Sequence, residues 1–266
     1  MQSEALRRVI LERLSKFEAT YSRFRPDSTV TTMATKAGDY ALPADATALF
    51  ALYRKLYDVT EGAVTPLIGD SLSAAGYDAN YSFTRDSTKP LPQPLAWDEA
   101  LSFTPPTLTI KKPTMLDFGA AGKGYAADLV ANVLYESEID DFCVDASGDF
   151  VIDSAKPTSI GLEHPARPGY VIGTARITHG SLCGSAGNRR AWGDYHHILD
   201  PHSLASPHDI SAVWAYAKSG LYADGLATAL FFTPPQTLHQ VFEFEYVIVR
   251  QDMSAEISPG FPGELF

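Results

Sequence analysis

From residue 62 to residue 114 the chain is rich in proline, glycine, serine and threonine, and it reads as loops with short strands. A loop region of that length inside a compact chain is as a rule functional. It also separates two kinds of pattern. Before it, Leu6, Ile10, Leu14, Phe17 and Tyr21 fall on one helical face, which ends by Pro26-Asp27-Ser28. Leu49, Leu52, Leu56 and Val59 mark a second helix over 44–59. After it the chain changes character at Met115, where a small-residue turn, Asp117 to Gly124, feeds a helix from Tyr125 to about Ser137. Strands are predicted at 142–145 and 150–152, on either side of a Ser147-Gly148-Asp149 turn, then at 170–177, 210–217 and 246–250, with a helix over 222–232. This irregular order predicts an α+β fold, with mixed or antiparallel sheets and flanking helices, over a regular βαβ alternation.

The 266 residues suffice for one large domain or two intimate lobes. A hydrophobic content of 45% with 20% charge is globular. No window approaches 18 consecutive apolar residues, so no membrane span is expected. Near the N-terminus Glu and Arg interrupt every apolar pair, which denies it the h-region of a signal peptide. The expectation is a cytoplasmic protein as the sequence stands, or an extracytoplasmic one if the N-terminus has been trimmed. A net charge of −11 argues against nucleic-acid binding. Any phosphate ligand must therefore be held by a metal, by backbone amides or by a few placed cations. Cys143 and Cys183 cannot make a zinc framework alone and read as inert buried thiols, the alternative being a single disulfide.

Four stretches are able to carry chemistry. In Gly119–Gly124, small residues before a helix let the amides of residues 121–124 approach an anion; the bland alternative is a tight strand–helix turn. It is neither a Walker A loop nor a G-x-G-x-x-G fingerprint. In Ala223–Thr228, Asp224 and Thr228 are four apart and share a helix face, an oxygen pair suited to magnesium. The alternative makes Asp224 a helix N-cap and Thr228 a hydroxyl bonded to its own backbone. The stretch His196–His202 offers ligands at spacing poor for zinc, a His–Asp general base, or a turn with incidental histidines. Around Ser185 the G-x-S-x-G pattern fails at Cys183, leaving Ser185 as a hydroxyl donor or turn residue. Arg189 and Arg190 beside it suit a phosphate or plain surface charge, and Asp149 reads first as a turn residue.

Taken in order, these stretches resemble the FAD:protein FMN transferase family of ApbE-type flavin transferases. The resemblance rests on Ser22-Arg23-Phe24-Arg25-Pro26-Asp27-Ser28, Asp117 through Asp128, Ser147-Gly148-Asp149, His197 through Pro201 and Ala223 through Thr228. It spans residues 20 to 232 and implies a single flavin transferase domain over 1–266, or two lobes flanking FAD and metal. It implies magnesium on Asp224, Thr228 and the Ala120 carbonyl. It places FAD contacts at Phe24, Gly76, Tyr77, Asp117, Lys123 and Ala227. His197, oriented by Asp200, would be the base that activates an acceptor hydroxyl. The activity implied is magnesium-dependent transfer of FMN from FAD to a threonine of an acceptor protein, with release of AMP.

The sequence departs from the family pattern in three places: the secretion signal or lipid-attachment cysteine common in the family is not found in it, and two departures concern its motifs. No Met-Gly-Thr strand precedes the first helix, and Ser203-Leu204 stands where Thr-Gly often follows the Asp-Pro box. Three rival readings stay open: an FAD pyrophosphatase, a non-catalytic flavin-binding protein, and a zinc hydrolase built on the histidines.

Overall fold

The computed structural model describes residues 2–266. The N-terminal stripe forms α1 (Gln2–Tyr21), followed by α2 (Thr29–Met33), which Ser28 caps by accepting the Thr31 amide. Next come β1 (Gly38–Ala41) and α3 (Ala46–Val59). The stretch expected to be loops and short strands holds more helix than expected. Thr65 caps a 3-10 turn at Pro66–Ile68, which runs into α4 (Gly69–Ala75); α5 (Trp97–Ala100), β2 (Leu101–Thr104) and β3 (Thr107–Ile110) follow. Helix α4, GDSLSAA, has one large apolar residue and hence no stripe to read; its caps define it instead.

Beyond the glycine turn lie α6 (Gly122–Glu136), β4 (Phe142–Asp145), β5 (Asp149–Glu163) and β6 (Val171–Ala186). The short strands β7 (Ala191–Trp192) and β8 (Tyr195–His196) pair with each other. Then come β9 (Ile210–Ala217), α7 (Gly220–Ala229), α8 (Pro235–Leu238), β10 (Glu245–Arg250), β11 (Ala255–Ile257) and β12 (Gly263–Leu265). Strands β5 and β6 are much longer than the patterns at 150–152 and 170–177 indicate. Their ladder shifts register between Asp153 and Thr158, and the polar residues there hide the strand's continuation. Ser185, read as a hydroxyl donor or turn residue, lies within β6 opposite Val213 of β9. The two thiols are free; Cys183 is buried as expected, whereas Cys143 is exposed on β4.

The chain forms two compact units. One, the helical unit, is Ser15–Gly119 with Arg190–Pro207. Its core packs Leu49, Phe50, Leu52, Tyr53 and Leu56 of α3, with Phe118 edge-on to both Phe50 and Tyr53. The other, the sheet unit, comprises described residues 2–14, Ala120–Arg189 and His208–Phe266. It holds an antiparallel sheet in the order β11-β10-β9-β6-β5-β4, with β12 paired to β6. Neighbouring residues of β5 serve opposite faces, as strand geometry requires. Val151 packs with Ala127 and Ala131 of α6, while Ile152 joins Leu162, Ile177, Leu182 and Val247 in the larger core.

Helices α6 and α7 meet at their first turns, glycine to glycine. A Cβ on Gly124 would lie 2.1 Å from the Gly220 carbonyl oxygen, and one on Gly220 would lie 2.2 Å from that of Gly124. Four residues on, each helix sends an aspartate to the other's N-terminus. Asp128 of α6 accepts the Gly220 and Leu221 amides at 2.7 and 2.8 Å, and Asp224 of α7 accepts the Gly124 amide at 2.8 Å. Each helix thus satisfies amide donors that the other leaves without an intrahelical partner.

Burial pushes the Asp128 carboxyl up to about 6, against the lowering pull of its two amide bonds. An unfolded aspartate already loses its proton near pH 3.9, so between there and pH 6 the native state holds a proton that the unfolded chain has released. This contribution therefore makes stability fall as pH rises through that window, by roughly 3 kcal/mol at most. Urea unfolding of wild type and Asp128→Asn at several pH values checks it. The wild-type stability minus that of the variant is expected to decline from pH 4 to pH 7 and then level off; a flat difference refutes it.

Candidate active site

In the sheet unit, two of the three expected metal donors, the Thr228 hydroxyl and the Ala120 carbonyl, touch each other, and Asp224 lies one helical turn before Thr228 on α7. Asp224 is 2% exposed, and its Oδ2 is tied to the Gly124 amide. One turn later on α7, the Thr228 hydroxyl donates to the Ala120 carbonyl at 3.3 Å, a long and weak bond. The first residue of α7's cap is Ser219, whose hydroxyl accepts the Tyr222 amide, so the alternative of Asp224 as the N-cap of its own helix does not hold. Nor is Thr228 turned onto its own helix, since Ala120 lies on the turn before α6. Carboxylate, hydroxyl and backbone carbonyl are the hard oxygen donors that magnesium prefers, and few protein ligands suffice when phosphates supply the remainder. Among the described residues no group of three or more His, Cys, Asp or Glu side chains could hold a metal ion.

Beside this trio Lys123 is ion-paired with Asp149 and stands 4.0 Å from Asp224 Oδ1. Burial works against the lysine's charge, but Asp224 and Asp149 outweigh it and raise its pKa. Burial raises the Asp224 carboxyl as well, with the Lys123 charge opposing. Asp149, read first as a turn residue, is wholly buried at the start of β5, and its other oxygen accepts the Gly184 amide at 3.3 Å. Cys183 is buried here too, pointing its thiol at the Gly220 carbonyl 3.7 Å away, and burial holds that thiol protonated. The expectation that the amides of residues 121–124 face a free anion needs correction at Gly124, whose amide is taken by Asp224. Ala227 lies on α7 and is fully buried.

The helical unit holds, around an aromatic group, four of the six expected FAD-contact residues, Phe24, Gly76, Tyr77 and Asp117, whereas Lys123 and Ala227 belong to the sheet unit. Gly76 ends α4 at φ +113°, and a Cβ there would lie 2.7 Å from the Thr84 amide, so the turn requires glycine. That turn delivers Tyr77 against Phe24, with ring centroids 5.4 Å apart and edge-to-face. Phe24 also stacks on Tyr81 at 5.0 Å. The Arg23 guanidinium lies 4.3 Å from the Phe24 ring and 4.8 Å from Tyr77, and donates to the Tyr77 carbonyl at 2.7 Å. Its Nε is bonded to Asp117, whose other oxygen accepts the Gly119 amide at 2.6 Å. Asp117 is thereby fixed at the start of the glycine turn.

His197 is half-buried on the same group, its ring edge-to-face with Tyr77 at 6.4 Å. His196 beside it is structural: its Nε2 meets the Pro207 carbonyl at 2.8 Å, and its Nδ1 accepts the Ile198 amide at 3.2 Å. Asp200 has bonds of another kind than orienting a ring. Its two oxygens accept the His202 amide at 2.9 Å and the Ser203 hydroxyl at 2.8 Å, building the turn over residues 200–205. Sequence reasoning missed the parts played by Asp128 and Asp149. The signal for Asp128 was present, since Gly124-Tyr125-Ala126-Ala127-Asp128 and Gly220-Leu221-Tyr222-Ala223-Asp224 share one Gly-x-x-x-Asp pattern. For Asp149 the sequence marks only its place in the Ser147-Gly148-Asp149 turn and nothing of its pairing with Lys123.

Two bodies of comparison meet this geometry. An FAD:protein FMN transferase of Haemophilus influenzae is 24% identical over 263 residues, which cover 89% of this chain and 73% of that protein. Another, from Treponema pallidum, is 26% identical over 256 residues, covering 82% and 68%. Among solved structures, an ApbE protein of Thermotoga maritima superposes with a TM-score of 0.81 at 22% identity, over 99% of this chain and 93% of that one. The flavin transferase ApbE of Vibrio cholerae gives 0.79 at 19% identity, over 97% and 90%. At such identities the two structures establish the shared fold. The ApbE family model itself runs from residue 2 to residue 248, through the aromatic group, the glycine turn and the paired helices, and on that extent the chain belongs to the ApbE family.

Proposed function

We propose that this protein is an FAD:protein FMN transferase, which moves FMN from FAD to a threonine hydroxyl of an acceptor protein and releases AMP. The observation that carries the reading is the trio of Asp224, Thr228 and the Ala120 carbonyl beside the Lys123–Asp149 ion pair. Asp224, Thr228 and the Ala120 carbonyl would hold magnesium. What the bound ion supplies is neutralisation of the negative charge that builds on the pyrophosphate oxygens as FAD is cleaved.

The chain's own residues do the rest. Lys123 places a fixed positive charge near the same oxygens, and a preorganised charge needs no rearrangement when the reaction occurs. Phe24, Tyr77 and Tyr81 form the aromatic group on which the flavin would pack, with Arg23 held against the first two. His197 takes the proton from the threonine hydroxyl as its oxygen bonds to the FMN phosphorus. The bond from that phosphorus to the bridging oxygen breaks, and AMP departs with the electron pair. Asp200 acts on this step as a positioning residue, by shaping the turn that follows His197.

The test is to incubate the protein with FAD, magnesium and a threonine-containing acceptor domain, then weigh the intact acceptor by mass spectrometry. An added FMN mass that vanishes on chelation is the expected result. Free FMN and AMP beside an unmodified acceptor would reassign the protein as a pyrophosphatase, and intact FAD would reassign it as a flavin-binding protein.

A further inference from the structure

We propose that Asp149 is a positioning residue for the divalent cation: it holds the Lys123 ammonium off Asp224 and so keeps the Asp224 carboxylate open to the metal. The inference rests on the metal reading above and assigns Asp149 a part in it.

Lys123 stands among two buried carboxylates, bonded to Asp149 and 4.0 Å from Asp224 Oδ1. That second distance is too long for a hydrogen bond and, with the Asp224 carboxylate buried, short enough for attraction. Asp149 is anchored where it is. It is wholly buried, opens β5 opposite Cys183 of β6, and accepts the Gly184 amide. Lys123, by contrast, ends a flexible four-carbon stem that can swing by an ångström at little cost. The Lys123 side chain is 41% exposed, but the Asp224 carboxylate beside it is buried, and a buried carboxylate without a partner is costly, so the two are drawn together. Without the Asp149 charge, the nearest anion is Asp224. A lysine paired there would occupy the carboxylate that a divalent cation needs, and a neutral Asp224–Lys123 pair would offer it no net attraction. The intact cluster of two carboxylates and one ammonium retains a single negative charge, held on the metal-facing side.

The experiment titrates wild type, Asp149→Asn, Lys123→Met and the Asp149→Asn/Lys123→Met double variant with Mn2+ alone, with free Mn2+ counted by electron paramagnetic resonance. Asp149→Asn is expected to bind Mn2+ about 10–100-fold more weakly, the scale on which losing a group behind a metal ligand is felt. The double variant, which has lost the competitor and regained the wild-type net charge, is expected to bind close to wild type. A crystal structure of metal-free Asp149→Asn is expected to show the Lys123 ammonium about 3 Å from Asp224, at ion-pair contact. Wild-type affinity in Asp149→Asn overturns the proposal, as does a double variant no tighter than the single one, or an ammonium still at its wild-type distance. Should Asp149→Asn fail to fold, Lys123→Met carries the test: binding weaker than wild type overturns the proposal. Equal Mn2+ binding by wild type and Asp224→Asn would instead defeat the metal reading on which the proposal stands.

Discussion

Asp224→Asn is expected to lower metal-dependent FMN transfer by about 10²-fold or more, the scale of losing one preorganised group that stabilises transition-state charge, while the fold survives. The substitution keeps the side chain's shape and one oxygen, so the Gly124 amide retains its acceptor. What disappears is the charge. Asp149 is already neutralised by Lys123, and with Asp224 uncharged the cluster has no net negative charge with which to attract a divalent cation. Steady-state rates with FAD and acceptor, taken alongside a thermal melt of the same preparation, separate loss of the site from loss of the fold. A rate equal to wild type would show that the metal is not held here.

Gly124→Ala is expected to cost about 3 kcal/mol or more, the upper part of the range for overpacking a close contact. At about 2–4 °C per kcal/mol for a chain of this size, the melting temperature falls by roughly 6–12 °C. A methyl group there would meet the Gly220 carbonyl oxygen at 2.1 Å, its carbon at 2.6 Å and the Asp224 Cβ at 2.7 Å. None of these is the mobile end of a side chain, so the helices must part, and parting them lengthens the bonds from Asp128 and Asp224 across the crossing. Gly122→Ala is the control, because a Cβ at Gly122 meets nothing within 4 Å. Calorimetry should find that variant near wild type; equal losses from both substitutions would mean that helix contact is not what Gly124 protects.

The parts of this molecule that were legible in the sequence are those in which a short window carries its own explanation. The stripe from Leu6 to Tyr21 predicts α1 because helical spacing repeats over about four turns, and residues 210–217 predict β9 to the residue. Asp224 and Thr228 are recognisable as a pair because four residues make one helical turn. Asp149 was not legible. An aspartate after Ser-Gly is ordinary turn chemistry, and only the sheet shows that its carboxylate is buried against a lysine 26 residues earlier. Asp200 erred in the other direction. Its closeness to His197 in sequence suggested a dyad, whereas an aspartate's commonest employment is to bond the backbone two residues on, as it does here with His202. The long reach of β5 was hidden because exposed strand positions tolerate the polar residues that also make loops.

The reciprocal capping of α6 and α7 has a consequence for how this protein matures. Gly124 and Asp224 are joined across 100 residues, and so nearly are Asp128 and Gly220. Neither helix can settle its opening turn until the other arrives, so the centre is assembled only after the intervening strands have collapsed. Contacts so distant along the chain must overcome their loop-closure entropy before they return any stability, which places them late in folding. The residues of the candidate site are therefore held by long-range contacts, and they are expected to order together with the sheet and not before it.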